Sequence, residues 1–171
     1  MVEDRIGLRE LRGDDREGIA LILNSIAAFR PEEVALALEL VDETLHPTPT
    51  TDYEWVIAER NNRVVGFACF GPVPLTVGTF DLYWIAVDPG ATRLRVASKL
   101  DDAVTARVRA RPGARWLLAE TSSTADYAPA HAFYARGGYQ LVGRMLDYYR
   151  PGDDRLTFGK RLDEVSPHVS D

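Results

Sequence analysis

Residues 80–119 read FDLYWIAVDPGATRLRVASKLDDAVTARVRARPGARWLLA, and this stretch decides the fold. Phe80 to Val87 is apolar at nearly every position, which is typical of a strand covered on both faces. Over 91–110 apolar side chains recur every four residues, which predicts one face of a long helix: Val96, Leu100, Val104 and Val108. Pro112-Gly113 ends this helix, and Trp116 to Ala119 is the next strand. This order predicts a right-handed βαβ unit with parallel strands.

The rest of the chain adds helices and strands on both sides of this unit. Acids or proline begin two helices, at Asp14-Asp15 and at Pro31-Glu32-Glu33. Asn61-Asn62 lies between two runs of period two and predicts a hairpin. The predicted fold is mixed α/β with a mixed sheet, in the order β-α-α-β-β-β-α-β-α-β-β. Its elements lie at 6–11, 14–26, 31–45, 53–59, 64–70, 80–87, 91–110, 116–119, 129–136, 139–145 and 156–162.

Length and composition restrict the class of protein. The 171 residues are 46% hydrophobic and 27% charged, as in a single globular domain, which we expect at 1–163 with a polar C-terminal tail at 164–171. One cysteine, Cys69, cannot form an internal disulfide and suits a reducing compartment. The charged N-terminus has no signal-peptide pattern, and the early apolar stretch is too short to span a bilayer. We therefore expect a cytoplasmic protein without a membrane partner.

Charge is distributed unevenly along the chain. The net charge is −6, yet residues 1–90 hold 7 basic and 16 acidic residues, against 13 and 10 in residues 91–171. The first part suits a cationic partner and the second could hold an anion, unless both are ordinary solvated surfaces. No aromatic residues interleave the basic residues of 91–115, so nucleic-acid binding is not expected. The three histidines, His46, His131 and His168, have no ligand spacing, so no metal site is expected.

The junction after Val87 predicts an anion site. There a strand ends and a helix begins, so free N–H groups and the positive end of a helix dipole meet, as phosphate sites require. Arg93 and Arg95 lie in or near the first turn, where a cation is unfavourable beside the dipole. A bound polyanion would reverse that sign. The alternative is that both arginines point into water.

Two stretches, Asp81–Pro89 and Ala130–Tyr139, resemble the GNAT acyltransferases, and the element order over 5–162 matches that fold. The resemblance implies acetyl-CoA as co-substrate, in a cleft between the fourth and fifth strands. It implies that the pantetheine arm pairs with the backbone of Ile85, Ala86 and Val87. It also implies one more residue that could bind the cofactor, Tyr127, at a position where many members have asparagine. It further implies a pyrophosphate loop of the form Q/RxxGxG/A. The candidate residues of that loop are Thr92, Arg93, Arg95, Val96, Ala97 and Ser98.

The loop departs from the family pattern at two positions. Thr92 stands at the Gln/Arg position and Arg95 at the first glycine, whereas Ala97 fits the last position. Glycine lets backbone approach phosphate without a side chain in the way. Arg95 could therefore crowd the pyrophosphate, or bind it as a fork.

The resemblance also implies three catalytic candidates. Tyr134 matches the tyrosine that protonates the departing CoA thiolate; the alternative is a core aromatic beside Phe133. Asp81 matches the place of a glutamate base that deprotonates the amine; the alternative is a buried hydrogen bond or a position near the open end of the strand. Glu120 is the second choice for the base.

Two further segments have open interpretations. Thr121 to Thr124 could hydrogen-bond pantetheine or substrate, or form a polar loop that caps the next helix. Asp147-Tyr-Tyr149 resembles the rim of a substrate pocket for a cationic amine, or is an ordinary strand end. The predicted function is N-acetylation of a primary amine of a small molecule or peptide. The alternative is a catalytically degenerate binding or regulatory module of this fold. The family also suggests a homodimer.

Overall fold

The predicted element order is confirmed in the computed structural model, which describes residues 5–163, so the predicted tail at 164–171 lies outside the described residues. The helices are α1 (Asp15–Ser25), α2 (Pro31–Leu45), α3 (Val96–Arg109) and α4 (Ala128–Arg136). The strands are β1 (Gly7–Arg9), β2 (Glu54–Arg60), β3 (Arg63–Pro72), β4 (Thr79–Val87), β5 (Trp116–Ser122), β6 (Gln140–Arg150) and β7 (Asp153–Arg161). Short 3₁₀ turns span Pro89–Leu94 and Ala125–Tyr127.

The strands form one mixed sheet in the order β1-β2-β3-β4-β5-β7-β6. β4 and β5 pair in parallel, with Asp81 opposite Leu118, as predicted for the βαβ unit. The hairpin of β2 and β3 is also confirmed: Arg60 lies opposite Arg63. Asn61 and Asn62 form its turn with φ of 51° and 59°, a left-handed conformation that asparagine tolerates.

The chain forms two compact units. The first contains the described residues up to Pro72 together with Leu82–Val104, and the second contains Val73–Asp81 with the described residues from Thr105. In the first unit α1 and α2 pack on β2 and β3 through side chains that are almost wholly buried, namely Ile19, Leu23, Val41, Trp55, Phe67 and Cys69. The single domain expected at 1–163 stays a prediction.

An ion-pair network fixes the entry to α1 in the first unit. The two terminal guanidinium nitrogens of Arg9 donate to the Asp15 carboxylate, at 2.7 and 2.8 Å, and Arg9 also contacts Glu59. The backbone N–H of Arg12 donates to the same carboxylate at 2.7 Å. Burial raises the pKa of Asp15, but the bonds from Arg9 and Arg12 outweigh it and hold the pKa below its usual range.

The second unit has its own core around β5, β7 and α4. Leu117, Ala119 and Phe158 lie on one face of the sheet, where Phe158 contacts Tyr134 of α4, and each of the three is at least nine-tenths buried. Lys160 is also buried. Its Nζ donates to Thr105 Oγ1 at 3.0 Å and lies 4.4 Å from the centre of the Tyr139 ring. A charged group at this depth is stabilised by such partners.

Several predicted boundaries were wrong, among them β7, which begins at Asp153 rather than at residue 156, and β1, which ends at Arg9 rather than at residue 11. Three further errors have a clear local cause. α3 begins at Val96 rather than at residue 91, since Pro89–Leu94 forms a 3₁₀ turn that ends at Arg95 with φ 56° and ψ 30°. β5 continues past Ala119 to Ser122, because its pairing with β7 continues to Arg155. β6 runs to Arg150, through an irregular segment between Met145 and Arg150.

No helix within residues 5–163 combines the length and the apolar character that crossing a membrane requires. In the same range no three or more histidine, cysteine, aspartate or glutamate side chains are grouped so that they could hold a metal ion.

Candidate active site

A pair of carboxylates lies on one face of the second unit. Asp81 is opposite Leu118 in the register of β4 and β5, and Glu120 follows two residues later, so both side chains project from the same face. Asp81 is half-buried and makes no hydrogen bond or ion pair with any described residue. Burial and, to a smaller extent, the Glu120 charge raise the pKa of Asp81 to about 6, although Arg155 opposes both effects.

Arg155 connects Glu120 to two tyrosines. Its Nε lies 3.5 Å from Glu120 Oε1, and its guanidinium lies 4.4 Å from the centre of the Tyr148 ring. The rings of Tyr148 and Tyr149 meet edge to face at 4.9 Å. Burial raises the pKa of Tyr149, and the nearby Glu120 charge adds to this. Acidic and aromatic groups together favour a cationic ligand.

Asp154 holds the segment that carries these tyrosines. Its carboxylate accepts the Asp147 N–H at 2.8 Å and the Arg144 Nε–H at 2.6 Å. Asp147 has φ 51°, and its own carboxylate accepts the Gly152 N–H at 2.6 Å. The irregular part of β6 is therefore a fixed bulge.

Tyr134 lies on the other face of the sheet. It is 7% exposed, and its ring contacts the rings of Phe133, Tyr139 and Phe158 at 5.2 to 5.5 Å. Phe158 is opposite Ala119, whose side chain points away from the face of Glu120. Tyr134 thus belongs to an aromatic core cluster, as the alternative interpretation required, and its role as an acid stays a prediction.

The predicted pyrophosphate loop lies in the first unit. Asp88 Oδ1 accepts the Gly90 N–H at 2.8 Å, which fixes the start of the 3₁₀ turn. Arg95 then takes the left-handed conformation that glycine adopts without strain. Arg93 and Arg95 are exposed and make no hydrogen bond or ion pair through their side chains with described residues. Both are available to an anion, and both precede α3 rather than lying in its first turn.

The remaining donor-site candidates differ in what they can offer. Ala86 and Val96 have buried side chains, so only their backbone could reach a ligand, whereas Ile85, Val87, Ala97 and Ser98 are partly exposed. Thr92 is exposed, and its hydroxyl donates to the Pro89 carbonyl at 3.2 Å. Tyr127 is partly exposed in the turn before α4.

The structure brings together residues that sequence reasoning considered separately. Asp81, Glu120 and the Tyr148-Tyr149 pair were candidates from different segments, and the strand register and the bulge unite them. Sequence reasoning missed Arg155 and Asp154. Neither has a local motif, because their roles come from the antiparallel register that places Arg155 opposite Ser122.

The family model for the acetyltransferase (GNAT) family matches residues 23–139. A solved structure of a GNAT-family protein from Desulfovibrio desulfuricans is 36% identical, with a TM-score of 0.88, over 93% of this chain and 100% of that one. The Escherichia coli ribosomal-protein-S18-alanine N-acetyltransferase is 18% identical with a TM-score of 0.73, over 98% and 100% of the two chains. An aminoglycoside 6′-N-acetyltransferase complexed with coenzyme A is 15% identical with a TM-score of 0.73, over 93% and 98%. A search of curated proteins finds no match.

Fold and likeness together define the class of protein: it is a transferase of acyl groups. More particularly, the chain belongs to the GNAT family of acetyltransferases, since the family model covers well over half of its length. The predicted family and fold are confirmed.

Proposed function

We propose that this acetyltransferase moves an acetyl group from acetyl-CoA to a primary amine of a small molecule or peptide. The observation that carries the proposal is Asp81, a half-buried carboxylate that makes no hydrogen bond or ion pair with any described residue, beside Glu120 and an aromatic rim. An amine acceptor must lose a proton before it attacks, because an amine of pKa about 10 is mostly charged at neutral pH. A carboxylate with a pKa near 6 is ionised at neutral pH and is a suitable base.

In the proposed reaction the amine nitrogen attacks the thioester carbonyl carbon, the carbon–sulfur bond breaks, and an amide and CoA result. Asp81 takes the proton of the ammonium directly or through water, and Glu120 is the second candidate. Backbone N–H groups of β4 polarise the carbonyl, as the family resemblance implies. Tyr134 returns a proton to the thiolate, which a prepositioned phenol can do although its usual pKa is about 10.

The loop at 88–98 fits the phosphate groups of the donor. Arg95 stands at the position of a glycine in the family pattern and has a left-handed backbone, a conformation that glycine adopts without strain, so the path of the loop is compatible with that role. Arg93 and Arg95 add two exposed cations. This favours the fork interpretation of Arg95 over crowding, because its side chain is directed to solvent.

The acceptor side favours a cationic amine. Tyr148 and Tyr149 supply aromatic faces, and Asp81 and Glu120 supply negative charge beside the cation Arg155. Structural neighbours include enzymes named for aminoglycosides and for an alanine of ribosomal protein S18. An aminoglycoside, an alanine-initiated peptide and an aliphatic diamine are therefore suitable first probes.

The test is release of the CoA thiol from acetyl-CoA, measured with each probe amine. We expect amine-dependent release whose kcat/KM rises with pH through about 6, as Asp81 ionises. Asp81→Asn should lower kcat/KM by on the order of 10²-fold, and Glu120→Gln by less. If CoA binds in calorimetry but no amine releases thiol, the chain is instead a degenerate binding module. A cytoplasmic location and a homodimer stay predictions.

A further inference from the structure

Two buried side-chain atoms, Thr121 Oγ1 and Arg155 Nε, lack a hydrogen-bond partner in the part of the chain that the structure describes. Of the two residues, Arg155 is charged and contacts Glu120, one of the two carboxylates of the candidate site. An unmet hydrogen bond costs more on a charged group than on a neutral hydroxyl. Buried polar groups are nearly always paired, so the unpaired donors of Arg155 call for a partner.

The contacts of Arg155 hold its guanidinium in place without using its hydrogen-bond donors. Nε lies 3.5 Å from Glu120 Oε1, which is longer than a hydrogen bond, and the guanidinium carbon lies 4.4 Å from the centre of the Tyr148 ring. No described residue accepts a hydrogen bond from this side chain. The side chain is 27% exposed, so a ligand can reach it through atoms other than the buried Nε.

Arg161, on the same strand, shows the partner that Arg155 lacks. Its guanidinium lies 4.9 Å from the centre of the Trp116 ring, and its Nε and Nη2 both donate to the Asp163 carboxylate. Each arginine thus lies over an aromatic ring, but among the described residues only Arg161 is hydrogen-bonded to a carboxylate. The planar guanidinium matches a carboxylate in a two-pronged geometry, so Arg155 is ready to bind one.

The charged side chains of the candidate site form a row along β5, within the second unit. Asp81 is opposite Leu118, Glu120 follows two residues later, and Arg155 is opposite Ser122, two residues further on. All three charged side chains therefore share one face, at steps of about 7 Å along the strand axis. A ligand that lies along this row meets negative charge at one end and positive charge at the other.

We propose that the acceptor is an amino acid, an amine that also carries a carboxylate, and that Arg155 binds this carboxylate. The inference rests on the proposed function for the reaction and names the class of its acceptor. The ammonium lies at Asp81 and Glu120, and the carboxylate accepts hydrogen bonds from the terminal nitrogens of Arg155. The product is then an N-acetylamino acid.

Charge favours this class over two others. A phosphate at Arg155 would bring about two negative charges close to Asp81 and Glu120, whereas a carboxylate brings one. A second cation, as in a diamine, would be repelled by the guanidinium.

The experiment measures release of the CoA thiol with amino acids and with their carboxamides, which keep the amine and lose the negative charge. The panel contains the common L-amino acids, β-alanine and γ-aminobutyrate, so that it covers several spacings between amine and carboxylate. We expect kcat/KM for the best amino acid to exceed that for its amide by about 10- to 100-fold, the effect of a hydrogen bond to a charged group.

The variant Arg155→Gln should abolish this preference, so that amino acid and amide react with similar kcat/KM. The preference is a ratio measured on one enzyme, so an effect of the substitution on Asp81 or on folding alters both values alike and cancels. Arg155→Lys keeps the charge without the planar fork and should retain part of the preference. Arg161→Gln is the matched control, since it removes an arginine over an aromatic ring at the other end of β7, and it should leave the ratio unchanged.

Two negative results are distinguishable. If amines without a carboxylate react as well as amino acids do, or if Arg155→Gln keeps the preference, the inference about Arg155 is wrong and the proposed function stands. If neither the amino acids nor the other probe amines release thiol, the proposed function is wrong and the inference fails with it.

Discussion

Replacing Asp81 by asparagine should stabilise the fold at neutral pH while it slows the reaction. The folded pKa of Asp81 is raised from 3.8 to about 6, so the unfolded chain gives up this proton at lower pH than the folded protein does. Below pH 3.8 the carboxyl is protonated in both states and ionisation costs nothing. As pH rises towards 6 the wild type loses stability, and above about 6 the loss is complete.

The size of the effect follows from the same pKa. A tenfold change in proton affinity corresponds to about 1.4 kcal/mol, which gives an upper limit of about 3 kcal/mol for Asp81. Asp81 is only half-buried, and solvent screens the charge. We therefore expect Asp81→Asn to gain about 1–1.5 kcal/mol in free energy of unfolding at pH 8.

The assay is urea unfolding of both proteins at intervals between pH 4 and pH 8. The advantage of Asp81→Asn should be smallest at the acid end, grow up to about pH 6 and then stay constant. Asp102→Asn, which removes an exposed carboxylate on α3, is the control and should not reproduce this curve. Equal unfolding free energies for Asp81→Asn and the wild type at every pH would refute the argument that Asp81 is desolvated beside Glu120.

Three other changes have defined outcomes. Arg95→Gly should raise the free energy of unfolding by about 0.5–1 kcal/mol, because the removal of left-handed strain of about 1–2 kcal/mol outweighs the added freedom of the unfolded chain. Arg95→Ala keeps the strain and should not change the free energy of unfolding. Equal denaturation midpoints for the two variants would contradict this. Tyr134→Phe should lower kcat by on the order of 10²-fold with little change in Tm; unchanged turnover removes Tyr134 from the mechanism. Asp15→Ala should lower the free energy of unfolding at pH 7 by about 2–3 kcal/mol, and because the pKa of Asp15 is lowered, the difference should shrink in acid below 3.8. Urea titrations at pH 7 and pH 3 test it, and a constant difference would refute it.

Local pattern was enough for the order of elements. The hairpin at Asn61-Asn62 and the helix that Pro31 begins depend on neighbours in sequence, so their residues alone predict them. Arg95 is different, because arginine carries no sign of a left-handed backbone; only the likeness to a glycine motif drew attention to it. The extension of β6 through Asp147 was missed for a similar reason.

The candidate site depended on information that local pattern lacks. Asp81 and Glu120 were both candidates, yet nothing in their own segments shows that they lie on the same face of the sheet. That follows from the register of β4 and β5, in which Asp81 is opposite Leu118, two residues before Glu120. Arg155 and Asp154 act through partners on other strands. The unsatisfied hydroxyl of Thr121 exists only once its neighbours are in place.

Strand β6 has a consequence for how this protein behaves in concentrated solution. It is the last strand of the sheet that residues 5–163 form, so within that range its outer backbone groups have no neighbouring strand. Within residues 5–163 six of the twelve exposed large apolar side chains lie on it: Leu141, Val142, Met145, Leu146, Tyr148 and Tyr149. Net charge opposes association between copies of the chain, but an open sheet edge with apolar side chains favours strand-to-strand association. Colloidal stability will therefore depend on this one strand, which also carries the aromatic rim, so changes made for solubility and changes made for specificity will compete for the same few positions.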